Sequence, residues 1–396
     1  MKKVIWTIVI FVLILVILGI VEKWVPFGNS GDDLGMANSH PQGEIATSSK
    51  TNQPVTINMT VTGDIMCHNT QYWDAYNKET DTYDFSPVFT DVKQYLQNAD
   101  ITVGNLETTL AGKQAGYSSY PIFNTPEELA IDLKDVGFDV VSNASNHSLD
   151  KGYAGLVSTI DFLDAAGISH VGTYKSEEDR NKVLIKDVNG IKLAFLAYTY
   201  GTNGIPVPDG KGYCINLIDK DLMLKDIKNA KAQNVDGIVC CMHWGTEYSP
   251  TADAQQNDLA DFLFKNGVDI ILGNHPHVLE PMEKVDVTTN DGEQKQCFVT
   301  YCLGNFMSDQ RVEERITSAI VNIQITKKED GKIEIGDITD IPIYTQNNYQ
   351  GISNHFKIRD VNKDISAYEN GDKSISANLY QRLVNARDLV KKRLGQ

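Results

Sequence analysis

The sequence is poor in basic residues and contains no cluster of five or more lysines and arginines. Lys and Arg together number 36 against 52 Asp and Glu, so the formal net charge is −16 at pH 7. Binding of nucleic acid depends on a basic surface that displaces counterions from the phosphates. The composition therefore argues against nucleic acid as a partner, and any anionic ligand would require a local cationic site.

Other compositional extremes are absent, and cysteine is scarce. A content of 41% hydrophobic and 22% charged residues is ordinary globular usage, which excludes a wholly disordered chain and a membrane protein with many spans. The six cysteines cannot be assigned to pairs from sequence alone. Because Cys240, Cys241 and Cys302 lie in apolar, strand-like runs, we favour buried free thiols there, with disulfides as the alternative for an exported chain.

One long apolar run stands at the N-terminus. Val4–Val21 is apolar at all but two positions and would form roughly 27 Å of helix, enough to cross the hydrocarbon core of a bilayer. The apolar part of a cleavable signal peptide is shorter, about 7–15 residues. We therefore predict an uncleaved transmembrane signal anchor at 4–21, with a cleaved signal peptide as the alternative. Lys2 and Lys3 should keep residues 1–3 in the cytoplasm, which places the rest of the chain outside.

The remaining chain divides into three parts. Residues 22–54 are rich in Gly, Ser, Asn, Thr and Asp, a composition typical of a flexible tether, here on the extracellular side. Residues 55–345 alternate between short apolar runs and amphipathic stretches, which predicts a layered α/β domain with parallel strands. Residues 346–396 form a C-terminal extension that ends in an amphipathic helix over 377–394.

Within the α/β domain, the pattern predicts individual strands and helices. The predicted strands are Ile57–Val61, Ile101–Val103, Asp139–Val141, Ser169–Val171, Gly237–Met242 and Asp269–Leu272. The predicted helices are Val88–Leu96, Glu127–Val136, Tyr153–Ala165, Leu222–Ala232 and Ala254–Asn266. Asn189-Gly190 between two apolar runs predicts a hairpin of Val183–Val188 and Ile191–Tyr198.

Polar side chains follow five of the predicted strands. They are Asp64 after the first, Glu107 after the second, Asn146 and His147 after the third, His243 after the strand at 237–242, and His275 and His277 after the strand at 269–272. Ligands in α/β proteins bind at the carboxyl ends of the strands. Carboxylate oxygens and imidazole nitrogens suit divalent Mn, Zn or Fe. The sequence therefore predicts a metal site at these strand ends, with ordinary turn composition as the alternative.

Six short motifs carry a resemblance to a known family. In chain order they are TGDIMCHN, NLETTLAG, NASNHSLDKG, MHWGTEY, GNHPHVLEP and YCLGNF, within roughly 57–309. Together they resemble the capsule-synthesis protein CapA family of poly-γ-glutamate biosynthesis, which is similar in fold and motif order to calcineurin-like metallophosphatases. The resemblance implies a four-layer α/β/β/α sandwich with two divalent metal ions at the strand ends. It also implies a single-pass protein of the bacterial cell membrane that works with the membrane subunits of a poly-γ-glutamate synthase complex.

The resemblance also implies a role for each candidate residue. Asp64 and His277 would bind the first metal, and Glu107 would bridge the two. Asn146, His243 and His275 would bind the second metal, and His147 would act outside the metals as an acid or a stabiliser of the transition state. The phosphatase pattern begins Asp-x-His, whereas His68 follows Asp64 by four residues. The role of His68 as a ligand therefore stays open.

Two classes of function remain compatible with this sequence. In the first, the domain is a metal-dependent hydrolase of a phosphoester or of the amide linkage of the polymer. In the second, it is an accessory protein that binds nascent poly-γ-glutamate or another anionic substrate, with metal serving recognition or stability. Both classes require the metal site, and only the resemblance indicates poly-γ-glutamate.

Overall fold

The computed structural model describes residues 53–347 and 355–395. The predicted transmembrane segment at 4–21 and almost all of the predicted tether lie outside these ranges. Within them, no helix combines the length and the apolarity needed to cross a bilayer.

The elements alternate between strands and helices over most of the described chain. The strands are β1 Val55–Ile65, β2 Tyr76–Asn77, β3 Thr82–Tyr83, β4 Ile101–Leu106, β5 Val140–Ser142, β6 Ser169–Val171, β7 Leu184–Val188, β8 Ile191–Thr199, β9 Gly237–His243, β10 Ile270–Asn274, β11 Met282–Thr288, β12 Gln294–Thr300, β13 Asn305–Met307, β14 Thr317–Lys327, β15 Ile333–Gln346 and β16 Lys357–Asp360. The helices are α1 Asn69–Ala75, α2 Lys93–Gln97, α3 Glu128–Asp135, α4 Gly152–Ala166, α5 Glu177–Arg180, α6 Lys220–Lys231, α7 Ala254–Asn266, α8 Glu313–Ile316, α9 Val361–Glu369 and α10 Ala377–Leu394.

Two large mixed sheets form the body of the fold. The first has the strand order β16-β15-β14-β1-β4-β5-β6, and β13 pairs with the end of β1. The second has the order β11-β12-β10-β9-β8-β7. Neighbours among β1, β4, β5 and β6 run parallel, as do neighbours among β8, β9, β10 and β12. The carboxyl ends of the central strands of each sheet therefore share one edge.

Alternation of side chains along each strand sets the order of the layers. In β8, Leu193 and Phe195 lie in a core between the two sheets, together with Ile57 and Met59 of β1. The intervening Ala194 faces the other way, into a core that includes apolar residues of α6 and α7. Apolar residues of α3 and α4 cover the outer face of the first sheet. Because successive strand residues face opposite sides, each sheet is covered on both faces, and the layers run helices, sheet, sheet, helices.

Several elements match the sequence pattern closely. The predicted hairpin forms from β7 and β8, with Asn189 and Gly190 at φ 52° and 89°, the left-handed pair that a tight two-residue turn requires. The predicted helices at 254–266 and 377–394 have these bounds in the structure. Asp253 begins the first of them by accepting a hydrogen bond from the backbone N–H of Gln256, whose side chain accepts one in return.

The continuous helix predicted over Val88–Leu96 is wrong. The segment forms a 3₁₀ turn over Ser86–Phe89 and then the short helix α2. The hydroxyl of Thr90 donates a hydrogen bond to the carbonyl oxygen of Pro87 at 2.9 Å. A threonine side chain that bonds to the backbone of the preceding turn offers an alternative to a regular helix, and the apolar spacing that predicted the helix does not reveal it.

The predicted C-terminal extension adds structure to the first sheet. Its strand β16 pairs antiparallel with β15, and α10 packs on β14 and β15 through residues such as Leu383 and Val390. All six cysteines are buried free thiols, as the apolar runs around three of them indicated.

Candidate metal centre

Two glycines bring the strand ends of the two sheets close to neighbouring backbone. A Cβ atom on Gly63 would stand 1.9 Å from the carbonyl oxygen of Gly304, and one on Gly273 would stand 1.9 Å from that of Tyr301. Only glycine permits such a close approach, which explains the Gly before Asp64 at the end of β1. Because the two backbone segments lie this close, the backbone N–H of Asp64 donates a hydrogen bond to the carbonyl oxygen of Gly304 at 2.9 Å.

The structure brings five of the predicted ligands into one buried cluster. They form two groups that could each hold a metal ion, Asp64 with Glu107 and His243, and Glu107 with His275 and His277. Within each group the candidate ligand atoms lie within 4.8 Å of one another. Glu107 belongs to both groups, so its carboxylate stands between two candidate cation positions.

Several polar atoms of this cluster have no hydrogen-bond partner. Both carboxylate oxygens of Glu107 and the Nδ1 atom of His275 are buried and unpartnered among the described residues. A buried polar group without a partner costs about 1–3 kcal/mol. A cation bound among these atoms would remove that cost, so the donor set fits a divalent metal.

The ionisable groups of the cluster shift one another's pKa values. Burial opposes ionisation of Asp64, but a hydrogen bond from His277 (Nδ1 to Oδ2, 3.0 Å) and the charge of that ring hold its pKa below the ordinary value. Burial, followed by the charge of Asp64, raises the pKa of Glu107 well above its ordinary value. For His277, burial is outweighed by Glu107 and Asp64, which raise its pKa to about 9. A cation at this site would favour the deprotonated forms of Glu107 and His277, so its binding would compete with protons there.

His243 and Asn146 face one another at the carboxyl ends of their strands. The Nε2 atom of His243 lies 2.9 Å from the Oδ1 atom of Asn146 and 3.4 Å from Oε1 of Glu107. Burial lowers the pKa of His243 to about 3, so the ring is neutral and keeps a lone pair. An amide oxygen and a neutral imidazole nitrogen are both suitable ligands, and here they point toward the same space.

The backbone is strained where it presents two of the histidines. His275 has φ 102° and His277 has φ 60°, values that residues with a side chain rarely adopt. Such conformations cost about 1–3 kcal/mol each and concentrate at functional sites. The strain is consistent with a segment selected for the placement of its imidazoles.

His147 lies outside both groups and has a carboxylate partner of its own. Its Nδ1 atom is 2.7 Å from Oδ2 of Asp150, and both side chains are buried. The same oxygen of Asp150 accepts a hydrogen bond from the backbone N–H of Phe123, which fixes its orientation. A carboxylate that accepts from Nδ1–H leaves Nε2 as the reactive nitrogen of the ring. Asp150 was missed in the sequence, although it follows His147 by three residues in a motif that carries the resemblance.

His68 is directed away from a ligand role by its hydrogen bond. Its Nδ1 atom accepts from the backbone N–H of Asp309 at 3.1 Å, and burial lowers its pKa to about 4. In the neutral ring the proton therefore lies on Nε2, which is then a donor. His68 belongs to neither candidate group.

Two asparagines support the cluster and were not predicted to take part. Asn105 donates to Oδ1 of Asp64 at 2.9 Å, and Oδ1 of Asn305 lies 3.0 Å from Nδ1 of His277. Groups of this kind orient metal ligands. Both residues stand in quoted motifs, but the sequence does not show which side chain each one contacts.

Two polar contacts lie outside the cluster. His170 Nε2 lies 3.3 Å from Asp164, and Arg180 forms two hydrogen bonds with the buried Asp226. Asp226 follows Arg180 by 46 residues, so the pair depends on the tertiary fold.

The fold and the cluster define a class of protein before any relative is considered. This is a two-sheet α/β protein with a buried, carboxylate- and imidazole-rich candidate metal centre at the carboxyl ends of its parallel strands. The chain belongs to the bacterial capsule synthesis protein PGA_cap family, whose family model matches residues 58–310. That range contains every residue of the cluster.

Two curated relatives carry names from capsule biosynthesis. The chain is 31% identical over 279 residues to the capsule biosynthesis protein CapA of Bacillus anthracis, which covers 68% of this chain and 64% of that protein. It is 29% identical over 273 residues to the PGA biosynthesis protein CapA of Bacillus subtilis (strain 168), with 66% of this chain and 67% of that protein covered. The chain thus spans less than two thirds of the Bacillus anthracis relative.

Two solved structures align with this chain at low sequence identity. The NAD nucleotidase of Haemophilus influenzae is 12% identical with a TM-score of 0.46, covering 87% of this chain and 61% of that one. A calcineurin-like phosphoesterase of Bacillus subtilis is 15% identical with a TM-score of 0.43, covering 84% and 99%. Both scores lie below 0.5, so no activity is assigned to this chain from either protein.

Proposed function

We propose that the protein is a membrane-anchored, extracellular component of poly-γ-glutamate capsule biosynthesis or export with a divalent metal site. Membership of the capsule synthesis family and the names of the two CapA relatives support the pathway. The observation that carries the metal site is the buried Glu107, which is shared by two ligand groups and has no hydrogen-bond partner for either oxygen. The membrane subunits of a poly-γ-glutamate synthase complex are the proposed partners.

The proposed site would hold two divalent ions, and Glu107 belongs to both of the groups that could hold one. Its oxygen and nitrogen donors suit Mn, Zn or Fe, with Asp64, His243, His275 and His277 as ligands and the Asn146 amide oxygen as a further one. When bound, divalent cations supply positive charge that lowers the pKa of water and stabilises negative charge developing on substrate oxygens. In a protein with a net charge of −16, they would also provide the local cationic site that an anionic polymer or phosphate requires.

A second candidate function is metal-dependent hydrolysis of a phosphoester or of the polymer amide linkage. The specific observation in its favour is the buried pair of His147 and Asp150, joined at 2.7 Å beside the cluster. Asp150 accepts a hydrogen bond from Nδ1–H of His147, and the imidazolium form of the ring would carry a second proton on Nε2 that it could transfer to a leaving group. Asn146 would fix the position of this histidine, because its own side chain contacts His243.

Substitution of two histidines separates the two candidate functions. In a capsule-producing strain that carries only the variant chain, we expect His243→Ala to lower bound metal and capsule output. If the protein is an accessory component, His147→Gln should keep metal, fold and capsule. If it is an essential hydrolase, His147→Gln should lower turnover about 10²–10⁴-fold and capsule with it. His170→Gln is the matched control, because this histidine pairs with Asp164 outside the cluster.

The readouts are metal analysis of the purified full chain, turnover of a phosphodiester and of poly-γ-glutamate, and polymer output. Normal capsule from a His243→Ala variant that has lost its metal would overturn the proposed role of the metal site. Normal capsule from His147→Gln would exclude an essential catalytic role for that residue.

Topology is tested separately. With the cell wall removed, protease added to intact cells should release the domain, because residues 4–21 are proposed to anchor it and the following chain to lie outside. Complete protection of the domain, with a known extracellular protein cleaved in the same cells, would contradict this arrangement.

A further inference from the structure

Arg315 occupies an unusual position beside the metal centre. Its guanidinium carbon lies 3.5 Å from the centre of the Tyr248 ring, so the planar cation stacks on that aromatic face. The Tyr248 ring in turn lies 6.0 Å, centre to centre, from the ring of His277. One aromatic side chain therefore separates a half-buried arginine from a candidate metal ligand.

The charge of Arg315 is not neutralised by its neighbours on α8. The two preceding residues, Glu313 and Glu314, form ion pairs with Arg382 and Arg393 of α10. Across residues 53–347 and 355–395, the Arg315 guanidinium has neither an ion pair nor a hydrogen bond with another side chain. A half-buried arginine generally pairs with a carboxylate, so this one retains its full capacity for an anion.

The backbone around Arg315 is tied to the same cluster. Its carbonyl oxygen accepts a hydrogen bond from the Asn305 amide at 2.9 Å, and the other side of that amide lies 3.0 Å from Nδ1 of His277. Tyr248 is held at φ 66° and donates its backbone N–H to the carbonyl of Pro276 at 2.8 Å. Arg315 and its stacking partner are thus both fixed relative to the segment that carries His277.

We propose that Arg315 is a substrate-positioning residue that binds an anionic group of the substrate, a carboxylate of γ-linked glutamate or a phosphoryl group, at the mouth of the metal centre. This rests on the proposed function, because it takes the metal centre as the place where substrate binds. The planar guanidinium can bind either anion through two parallel hydrogen bonds while one face remains on Tyr248.

A residue of opposite charge provides an internal comparison. Glu247 is exposed and adjoins Tyr248 in the chain, and its negative charge acts on both Tyr248 and His277. An anion held by Arg315 would be repelled by this carboxylate. The two side chains should therefore affect binding of an anion in opposite directions, whereas a purely structural role of Arg315 gives no such relation.

The experiment measures binding of two probes to the metal-loaded full chain by calorimetry. The probes are inorganic phosphate and a γ-linked glutamate oligomer. We expect Arg315→Gln to weaken binding of at least one probe about tenfold or more, since a hydrogen-bonded pair of charges is lost. Arg315→Lys should recover part of the affinity, and Glu247→Gln should strengthen binding. Arg387→Gln, which changes net charge equally at a half-buried arginine on α10 that pairs with Asp388, should bind like wild type.

The outcomes distinguish the inference from the function on which it rests. Loss of phosphate binding alone assigns Arg315 to a phosphoryl group, and loss of oligomer binding alone assigns it to the polymer carboxylates. Wild-type affinity for both probes in Arg315→Gln, or a decrease in Glu247→Gln, overturns the role of Arg315 and leaves the proposed function standing. Failure of the wild-type protein to bind either probe overturns anion recognition at the metal centre itself. A lower metal content in Arg315→Gln would show a structural role and also overturn the inference.

Discussion

Replacing Glu107 with Gln tests whether the buried cluster is a cation site. Glu107 is fully buried, both of its carboxylate oxygens lack a hydrogen-bond partner, and both ligand groups contain it. Burial and the charge of Asp64 raise its pKa well above the ordinary value, which favours the uncharged form of the side chain. Gln is then a close substitute, and we expect the free energies of unfolding of variant and wild type to agree within about 1 kcal/mol in EDTA.

Added cation should separate the two proteins. A cation that binds only the folded state stabilises it by about 2.7 kcal/mol when its free concentration is 100 times Kd. If removal of the shared carboxylate weakens binding about 100-fold, the same concentration stabilises the variant by only about 0.4 kcal/mol. The expected difference of about 2 kcal/mol is well resolved by chemical denaturation.

The assay compares denaturation of both proteins in EDTA and in Mn²⁺, together with metal content by mass spectrometry. Glu280→Gln is the matched control, because it makes the same change at another buried glutamate that belongs to neither ligand group. This control should retain the full cation-dependent gain in stability. An equal gain in Glu107→Gln and wild type would refute the assignment of the cluster as a cation site.

Two further predictions concern stability away from the cluster. Burial raises the pKa of Glu280 from 4.5 to about 7, so its folded-state stabilisation is complete below pH 4.5 and is lost as the pH rises through 7. The difference corresponds to about 3 kcal/mol, so Glu280→Gln should gain that much on wild type between pH 4 and pH 9 in denaturation experiments; a constant difference would contradict it. Asp226→Ala should cost about 3–5 kcal/mol, because it leaves the Arg180 charge, 11% exposed, without its partner. Glu178→Ala removes the exposed pair with Lys182 and should cost less than about 1 kcal/mol, and similar losses in both variants would contradict this account.

Local sequence patterns were sufficient to predict the strands that lead into the cluster, the hairpin of β7 and β8, and five of the helices. Asn189-Gly190 specifies its hairpin through the left-handed conformations of two residues, and the helix at 254–266 is set by its capping residue and its apolar spacing. The prediction failed at Thr90, where a side-chain hydrogen bond to the backbone interrupts a helix whose apolar spacing looks continuous. Because these signals act over a few residues, they can be recognised in the sequence alone.

The candidate site could be predicted only in part from such local patterns. Asp64, Glu107 and His243 could be singled out because each follows an apolar, strand-like run, and parallel strands align their carboxyl ends. Which atoms meet was not predictable. Asp64 and His277 are 213 positions apart, and their contact at 3.0 Å exists only because β1 and β10 belong to two sheets packed face to face.

The sequence by itself determined the family, the excess of negative charge, the N-terminal apolar run and the order of strands and helices. These depend on composition, on short motifs and on a period of two or 3.6 residues. Only the tertiary structure decided that Glu107 is shared by two ligand groups, that Asp150 orients His147, and that Arg315 stacks on Tyr248 without a carboxylate partner in the described chain. Such features depend on side-chain directions and on the packing of segments far apart in the chain, which no local pattern encodes.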